Sequence, residues 1–367
     1  MGNPSAGAGP ALHPGVDERL YTGEDEQRDG QGVSDADGPT LVTGATGFVG
    51  SAVARALAAR GRQLRLLVRP TSDRRNMVGL DNAETVVGDL TDAASLARAA
   101  EGCRAVFHVA ADYRIWVPDP DAMLRANVDG TVAMLRVAQA AGVGRIVHCS
   151  SVAALGLTKD GTPADETTPV DPAAIVGVYK RSKHMAEQAA LDLARQGAPV
   201  VIVNPAAPVG PRDIRPTPTG RMIRDAAAGR MPAYLDTGLN VVHVDDVAEG
   251  HVLAEERGRI GERYILGGEN LALRELLALV ASVAGRRPPT IRRTHEMVWP
   301  IAAAMEAAAR IVPFEPPVTR DHLRMARKKM FFSSAKAINE LGYHPRPAIE
   351  AVRDAVAWFR ANGMLRG

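Results

Sequence analysis

Apolar residues in this chain gather into short runs separated by amphipathic stretches, beginning at position 40. Thr40, Leu41, Val42 and Thr43 form a run of strand length, and similar runs recur over 64–68, 84–87, 105–109, 145–149 and 199–203. Helical spacing lies between them. Val53, Ala54, Leu57 and Ala58 share one face of a helix expected over 51–60. A long helix is expected over 121–141, and another carries Tyr179. Strands alternating with helices predict an α/β chain whose parallel sheet is covered on both faces.

The rhythm breaks near Pro205. Prolines at 205, 208, 211, 216 and 218 predict a long ordered loop in place of strand or helix. Short strands at 241–244 and 264–266 and several helices follow. They predict a smaller, mostly helical substrate lobe over 205–367, with segments returning to a nucleotide-binding domain over 39–204. The first 38 residues are rich in Gly, Pro, Asp and Glu, lack periodicity and predict a disordered acidic tail without the apolar core of a secretory signal. No apolar run reaches the roughly 18 residues a bilayer requires. The nearest, 297–312, is broken by Pro300, Glu306 and Arg310. It predicts a core or interface helix, with peripheral membrane contact as the lesser alternative.

Composition narrows the class further. The 367 residues are 46% hydrophobic, enough for one large or two ordinary domains. A formal net charge of +2 supplies no overall drive toward nucleic acid or an anionic membrane. Two cysteines, Cys103 and Cys149, make neither a disulfide framework nor a metal site, and a reducing cytoplasm fits.

Candidate chemistry begins directly after the first strand. Gly44, Gly47 and Gly50, with Thr46, Phe48 and Val49 among them, form a glycine loop that opens an apolar helix. Such a loop turns tightly, lets a pyrophosphate approach the backbone and faces it with unpaired helical N–H groups. Together with the alternating pattern it predicts a doubly wound Rossmann fold. Arg69 ends the second strand where an acid would accept from the ribose 2′-hydroxyl of NAD. A base there favours NADP(H) and leaves NAD(H) open. Asp89 and Leu90 follow the third strand, the carboxylate being placed to accept from an adenine amino group or to cap a turn. Ala110 and Ala111 follow the fourth strand, where small side chains let backbone lie against a cofactor. Asn127, a poor helix former in mid-helix, is expected to make a polar bridge near the site.

Tyr179 and Lys183, four residues apart, fall on one helical face. An ammonium near a phenol lowers its pKa toward useful base strength. Ser151, just past the fifth strand, is expected to hold the reacting oxygen, with Ser150 the adjacent alternative. His148 is expected to be a satisfied structural histidine, and His243 with Asp245 and Asp246 a strand end and helix cap.

These motifs resemble the extended short-chain dehydrogenase/reductases, also called NAD-dependent epimerase/dehydratases, from about Thr40 to Phe359. The resemblance implies catalytic roles for Ser151, Tyr179 and Lys183, and a loop at Asn204 and Pro205 that touches the nicotinamide end. It also implies a small-molecule substrate and a homodimer. The stretches 67–73, 110–116, 215–220 and 325–334 are similar to hopanoid-associated sugar epimerases. The Arg69 pattern and general layout are similar to dihydroflavonol 4-reductases. The first likeness implies a sugar-type substrate and retained NAD; the second implies NADPH-dependent reduction of a bulky carbonyl. A nucleotide-sensing protein without chemistry would not need Tyr179 and Lys183.

Overall fold

The computed structural model describes residues 38–365 except 115, 116, 118, 172–174, 310–315 and 317. The expected tail, apart from Gly38, lies outside the described residues, as does the end of the expected 297–312 helix.

Six strands, β1 (Thr40–Thr43), β2 (Leu64–Val68), β3 (Glu84–Val87), β4 (Ala105–His108), β5 (Arg145–Cys149) and β6 (Val200–Pro205), alternate with helices. The helices are α1 (Phe48–Ala58), α2 (Ala93–Ala100), α3 (Pro120–Leu124), α4 (Gly130–Ala140) and α5 (Val178–Arg195). The remainder contributes β7 (Ala207–Val209), α6 (Pro218–Ala227), β8 (Ala233–Leu235), β9 (Gly238–His243), α7 (Val244–Arg257) and β10 (Arg263–Leu266). It continues through β11 (Glu269–Ala272), α8 (Leu273–Ala284), β12 (Ile291–Arg293), α9 (His295–Ala309), α10 (Arg320–Ala326), α11 (Ala335–Leu341) and α12 (Ala348–Ala361).

The main sheet has seven strands in the order β10-β6-β5-β4-β1-β2-β3, and every pairing is parallel. Strand order reverses between β1 and β4, which opens a crevice at the carboxyl edge where a doubly wound sheet binds its ligand. Alternation along β1 sends Leu41 and Val42 to opposite faces. Leu41 joins a core with Leu96, Met134 and Leu193 of α2, α4 and α5. Val42 joins one with Val53, Leu57 and Val252 of α1 and α7. A third core packs α6, α8 and α12 through Ile223, Leu276, Val352 and Phe359. β10 and α7, although late in sequence, belong to the main sheet and its helical layer.

Two expectations are corrected. The proline-rich stretch is not one long loop: β6 runs through Pro205, Pro208 lies in β7, and Pro218 opens α6. β7 is an edge strand, where a missing N–H costs no ladder bond. Pro218 lies at the start of α6 behind the Thr217 cap, a position that has no intrahelical N–H partner anyway. The helix expected over 121–141 is interrupted by a π-helical turn at Arg125–Asp129. π turns accommodate one extra residue and often mark functional sites. In α9, Pro300 lies within the helix, and Met297 and Ile301 are each 54% exposed. Among the described residues no helix is long and apolar enough to cross a membrane.

Candidate active site

The glycine loop connects β1 to α1 at the carboxyl edge of the sheet. Gly44 has φ of 79°, and a Cβ on it would lie 2.7 Å from the Ala110 nitrogen. A Cβ on Gly50 would lie 2.1 Å from the Gly44 carbonyl oxygen. Both positions therefore need glycine. Helix α1 starts at Phe48, three residues before the expected start, with no side-chain cap and no acid in its first turn. Its N-terminal N–H groups, including those near Val49, are thus left for an anion. Thr46 accepts from Asn76 through its carbonyl (3.3 Å), which ties the loop to the segment after β2. This cradle fits a dinucleotide pyrophosphate.

The other cofactor candidates line the same edge. Arg69 is exposed just past β2 and helps keep Asp89 ionised. Asp89 spends Oδ1 on the Thr91 N–H (2.9 Å) and hydroxyl (2.7 Å), and these bonds first, then Arg69, hold its carboxyl below the usual range. Asp92, not Asp89, caps α2. Leu90 packs over Gly130 of α4. Ala110 donates its N–H to the Thr43 hydroxyl (3.2 Å), and Ala110 and Ala111 are half-buried beside Gly44. Asn127, 2% exposed, lies in the π turn. Its Oδ1 accepts from the Asp112 N–H (2.7 Å), while Nδ2 donates to the Asp112 carbonyl (2.8 Å) and to the Ser182 hydroxyl (2.9 Å). It bridges the loop after β4 to α5, one residue from Lys183. Asn204 is fully buried, and its Nδ2 donates to Glu187 and to the Ser151 carbonyl. That side-chain amide nitrogen is committed within the protein, so it is not available to a cofactor.

The serine pair divides its work. Ser151 is hydrogen-bonded to the Tyr179 hydroxyl, and its Oγ also accepts from the Ala153 N–H (3.1 Å). Ser150 is buried and donates to Glu187 (2.5 Å). Burial pushes the Tyr179 phenol up to about 12, with the Ser151 bond partly opposing. This corrects the expectation of a phenol made acidic by Lys183. The Lys183 ammonium donates instead to the Cys149 carbonyl (2.8 Å), and burial lowers its pKa. Tyr179 therefore stands as a protonated acid, with the lysine bracing the strand end beside it.

Three residues passed over in the sequence join this region. Glu187, four positions beyond Lys183 on the same helical stripe, is fully buried and binds Ser150, Asn204 and Arg263. The i+4 spacing from Lys183 was its available signal. Lys180 is half-buried next to Tyr179, and burial followed by Lys328 brings its pKa down to about 8. Tyr113 reaches the Arg215 carbonyl across the crevice (3.4 Å). Arg212, with φ of 73°, pairs with Asp245. His243 caps α7 by accepting from the Asp245 N–H (3.0 Å). His148 is buried and stacked on His108, but neither ring nitrogen has a partner among the described residues, so the expected satisfied histidine is not what the fold contains.

The family model described as "NAD dependent epimerase/dehydratase family" matches residues 40–267. A Synechocystis protein named "Putative dihydroflavonol 4-reductase" is 43% identical over 332 residues, covering 89% of this chain and 96% of the relative. Solved structures are similar as well, two of them as follows. The crystal structure of gox2253 superposes with a TM-score of 0.81 at 60% identity, covering 89% of this chain and 99% of that one. A nucleoside-diphosphate-sugar epimerase from Pseudomonas aeruginosa superposes with a TM-score of 0.74 at 31% identity, covering 90% and 100%.

Proposed function

Because the chain belongs to the NAD dependent epimerase/dehydratase family, we propose that it is a nicotinamide-dependent carbonyl reductase in which Tyr179 supplies the proton. The bond between Tyr179 and Ser151, beside the glycine loop, carries this reading. A nicotinamide held by the glycine loop would supply the hydride for reduction of a ketone. The charge that develops on the ketone oxygen is met by the Ser151 hydroxyl, and the Tyr179 phenol gives it a proton. The protonated phenol is the form of Tyr179 that gives up a proton in the reductive direction. Lys183 holds the end of β5 through Cys149 and would have further N–H donors for the ribose hydroxyls of a bound cofactor. Arg69 favours NADPH, and the name of the Synechocystis relative favours a bulky carbonyl substrate.

A second reading, interconversion of epimers on a sugar-type substrate with cofactor retained, is favoured by the similarity to the Pseudomonas epimerase. Denaturing purified protein and identifying released nucleotide separates the two. Reduction predicts an empty site and consumption of NADPH by added ketones. Retained NAD with no net consumption of reductant would overturn it in favour of epimerisation.

A further inference from the structure

Glu187 sits at the centre of a buried junction. Its side chain is 0% exposed, and its two oxygens meet three donors: one from the residue that follows β5, one from β6 and one from β10. Oε2 accepts from the Ser150 hydroxyl (2.5 Å) at the end of β5 and from Asn204 Nδ2 (2.5 Å) in β6. Oε1 accepts from Arg263 Nη1 (2.9 Å) in β10. Arg263 is anchored in turn by the Glu166 carbonyl (2.6 Å). The same Asn204 Nδ2 also donates to the Ser151 carbonyl (3.0 Å). Ser150 is thus tied to α5 by its side chain, and Ser151 is tied to the same carboxylate through Asn204.

One helical stripe accordingly holds three successive residues of the strand end. Tyr179, Lys183 and Glu187 recur at four-residue intervals along α5. Lys183 holds Cys149, Glu187 holds Ser150, and Tyr179 meets Ser151. A buried ion pair is a poor source of stability compared with apolar packing. Its distinctive property here is that a carboxylate, having no donor of its own, receives every one of these bonds at once. Glutamine could satisfy Ser150 and Asn204 only by turning its amide N–H groups toward Arg263.

We propose that Glu187 is a positioning residue that fixes the Ser151 hydroxyl against Tyr179, acting through Ser150 and Asn204 and touching neither substrate nor cofactor. The proposal rests on the reading of Ser151 and Tyr179 given above. It requires that Glu187 affect the chemical step and leave binding alone.

The test compares Glu187→Gln, Ser150→Ala, Ser151→Ala and their double variants in the full chain. For Glu187→Gln, kcat should fall by about 10-fold or more while KM stays within about threefold, the pattern of an interaction felt in the transition state. NADPH affinity, read by nicotinamide fluorescence without substrate, should be unchanged. Ser150→Ala, which leaves the Arg263 pair intact, should show the same split with a smaller fall. In the Ser151→Ala background neither change should lower kcat further, because the residue they position is gone. The alkaline limb of the kcat profile should also move to higher pH as Tyr179 loses its bond to Ser151. Should Glu187→Gln fail to fold, Ser150→Ala alone decides. Parental kcat in any folded variant, or full additivity with Ser151→Ala, overturns the proposal. Tyr179→Phe run alongside separates the two levels: if it stays active the catalytic reading itself fails, and if it is inactive while Glu187→Gln is not, only this inference fails.

Discussion

The Lys183 ammonium lies 2.8 Å from the Cys149 carbonyl oxygen, and Tyr179, one turn earlier on α5, keeps its own bond with Ser151. Lysine and tyrosine share a helical face but serve different partners. One braces the end of β5 and the other meets the residue two positions beyond it. Buried in this way, Tyr179 stays protonated across neutral pH, its pKa being up at about 12.

A pH asymmetry between the two directions is the first consequence. Reduction needs the phenol, so its kcat should be flat with respect to this group from about pH 6 to 9. Alcohol oxidation needs the phenolate and should rise steadily over the same range. Tyr179→Phe should lower kcat by about 10²–10⁴-fold in both directions, with NADPH affinity retained. Steady-state profiles in each direction check this, and equal flatness in both would remove Tyr179 from the proton transfer.

Gly50 offers a test of the cradle. An alanine Cβ there falls 2.1 Å from the Gly44 carbonyl oxygen, and backbone cannot yield as a flexible side chain does. Overpacking of this kind costs about 1–3 kcal/mol. Gly50→Ala should lower Tm by a few degrees and weaken dinucleotide binding more than tenfold, read by calorimetric titration. Undiminished binding would mean that the pyrophosphate does not use this loop.

Acid should weaken the fold through its buried histidines. Burial lowers His108 to about 3 and His251 to about 4, and it takes His148 well below the ordinary 6.5, with nearby Lys183 adding to the effect on His148. Each is neutral when folded and binds a proton more readily when unfolded. Stability is therefore intact above pH 6.5 and falls as pH drops below it, each group adding a slope of up to about 1.4 kcal/mol per pH unit. Tm measured from pH 7 to 5 should decline. In His148→Phe, which keeps a ring for stacking on His108, the decline should be shallower. An equal slope in parent and variant would show that His148 is not among the groups responsible.

Much of this was legible in the chain because a strand buried on both faces of a parallel sheet leaves a short continuous apolar run. The first five strands of the main sheet match their expected positions within a residue, since runs such as Thr40–Thr43, buried at every position, are of strand length and too short for a helix. The site was legible where function demands a residue type at a fixed spacing, as at Gly44, Gly47 and Gly50. Proline misled where position outweighs propensity: Pro208 on an edge strand and Pro218 at a helix start satisfy rules that depend on neighbours in space. The π turn around Asn127 and the partners of Glu187 depend on contacts across 15 to 76 positions of sequence, which no local pattern encodes.

On the proposed reading, nucleotide choice is expected to turn on Arg69, which follows β2, and Asp89, which follows β3. Asp89 is fixed by Thr91, so one of its oxygens is committed, and the exposed Arg69 guanidinium is the group at the end of β2 with freedom to meet a ligand. A 2′-phosphate would gain a charge-assisted bond from it, of about 1.5–3 kcal/mol, whereas a 2′-hydroxyl would gain little. Arg69→Ala should therefore weaken NADPH by about 10- to 100-fold and leave NADH within about twofold. Arg69→Asp should go further and reverse the preference, because an acid accepts from the hydroxyl and repels the phosphate. The measurement is the ratio of Kd values for the two reduced nucleotides at one ionic strength, since the phosphate contact is screened by salt. Equal weakening of both nucleotides by Arg69→Ala would assign Arg69 to the adenine ring, and any preference for NADPH would then have to arise elsewhere, as at Arg74.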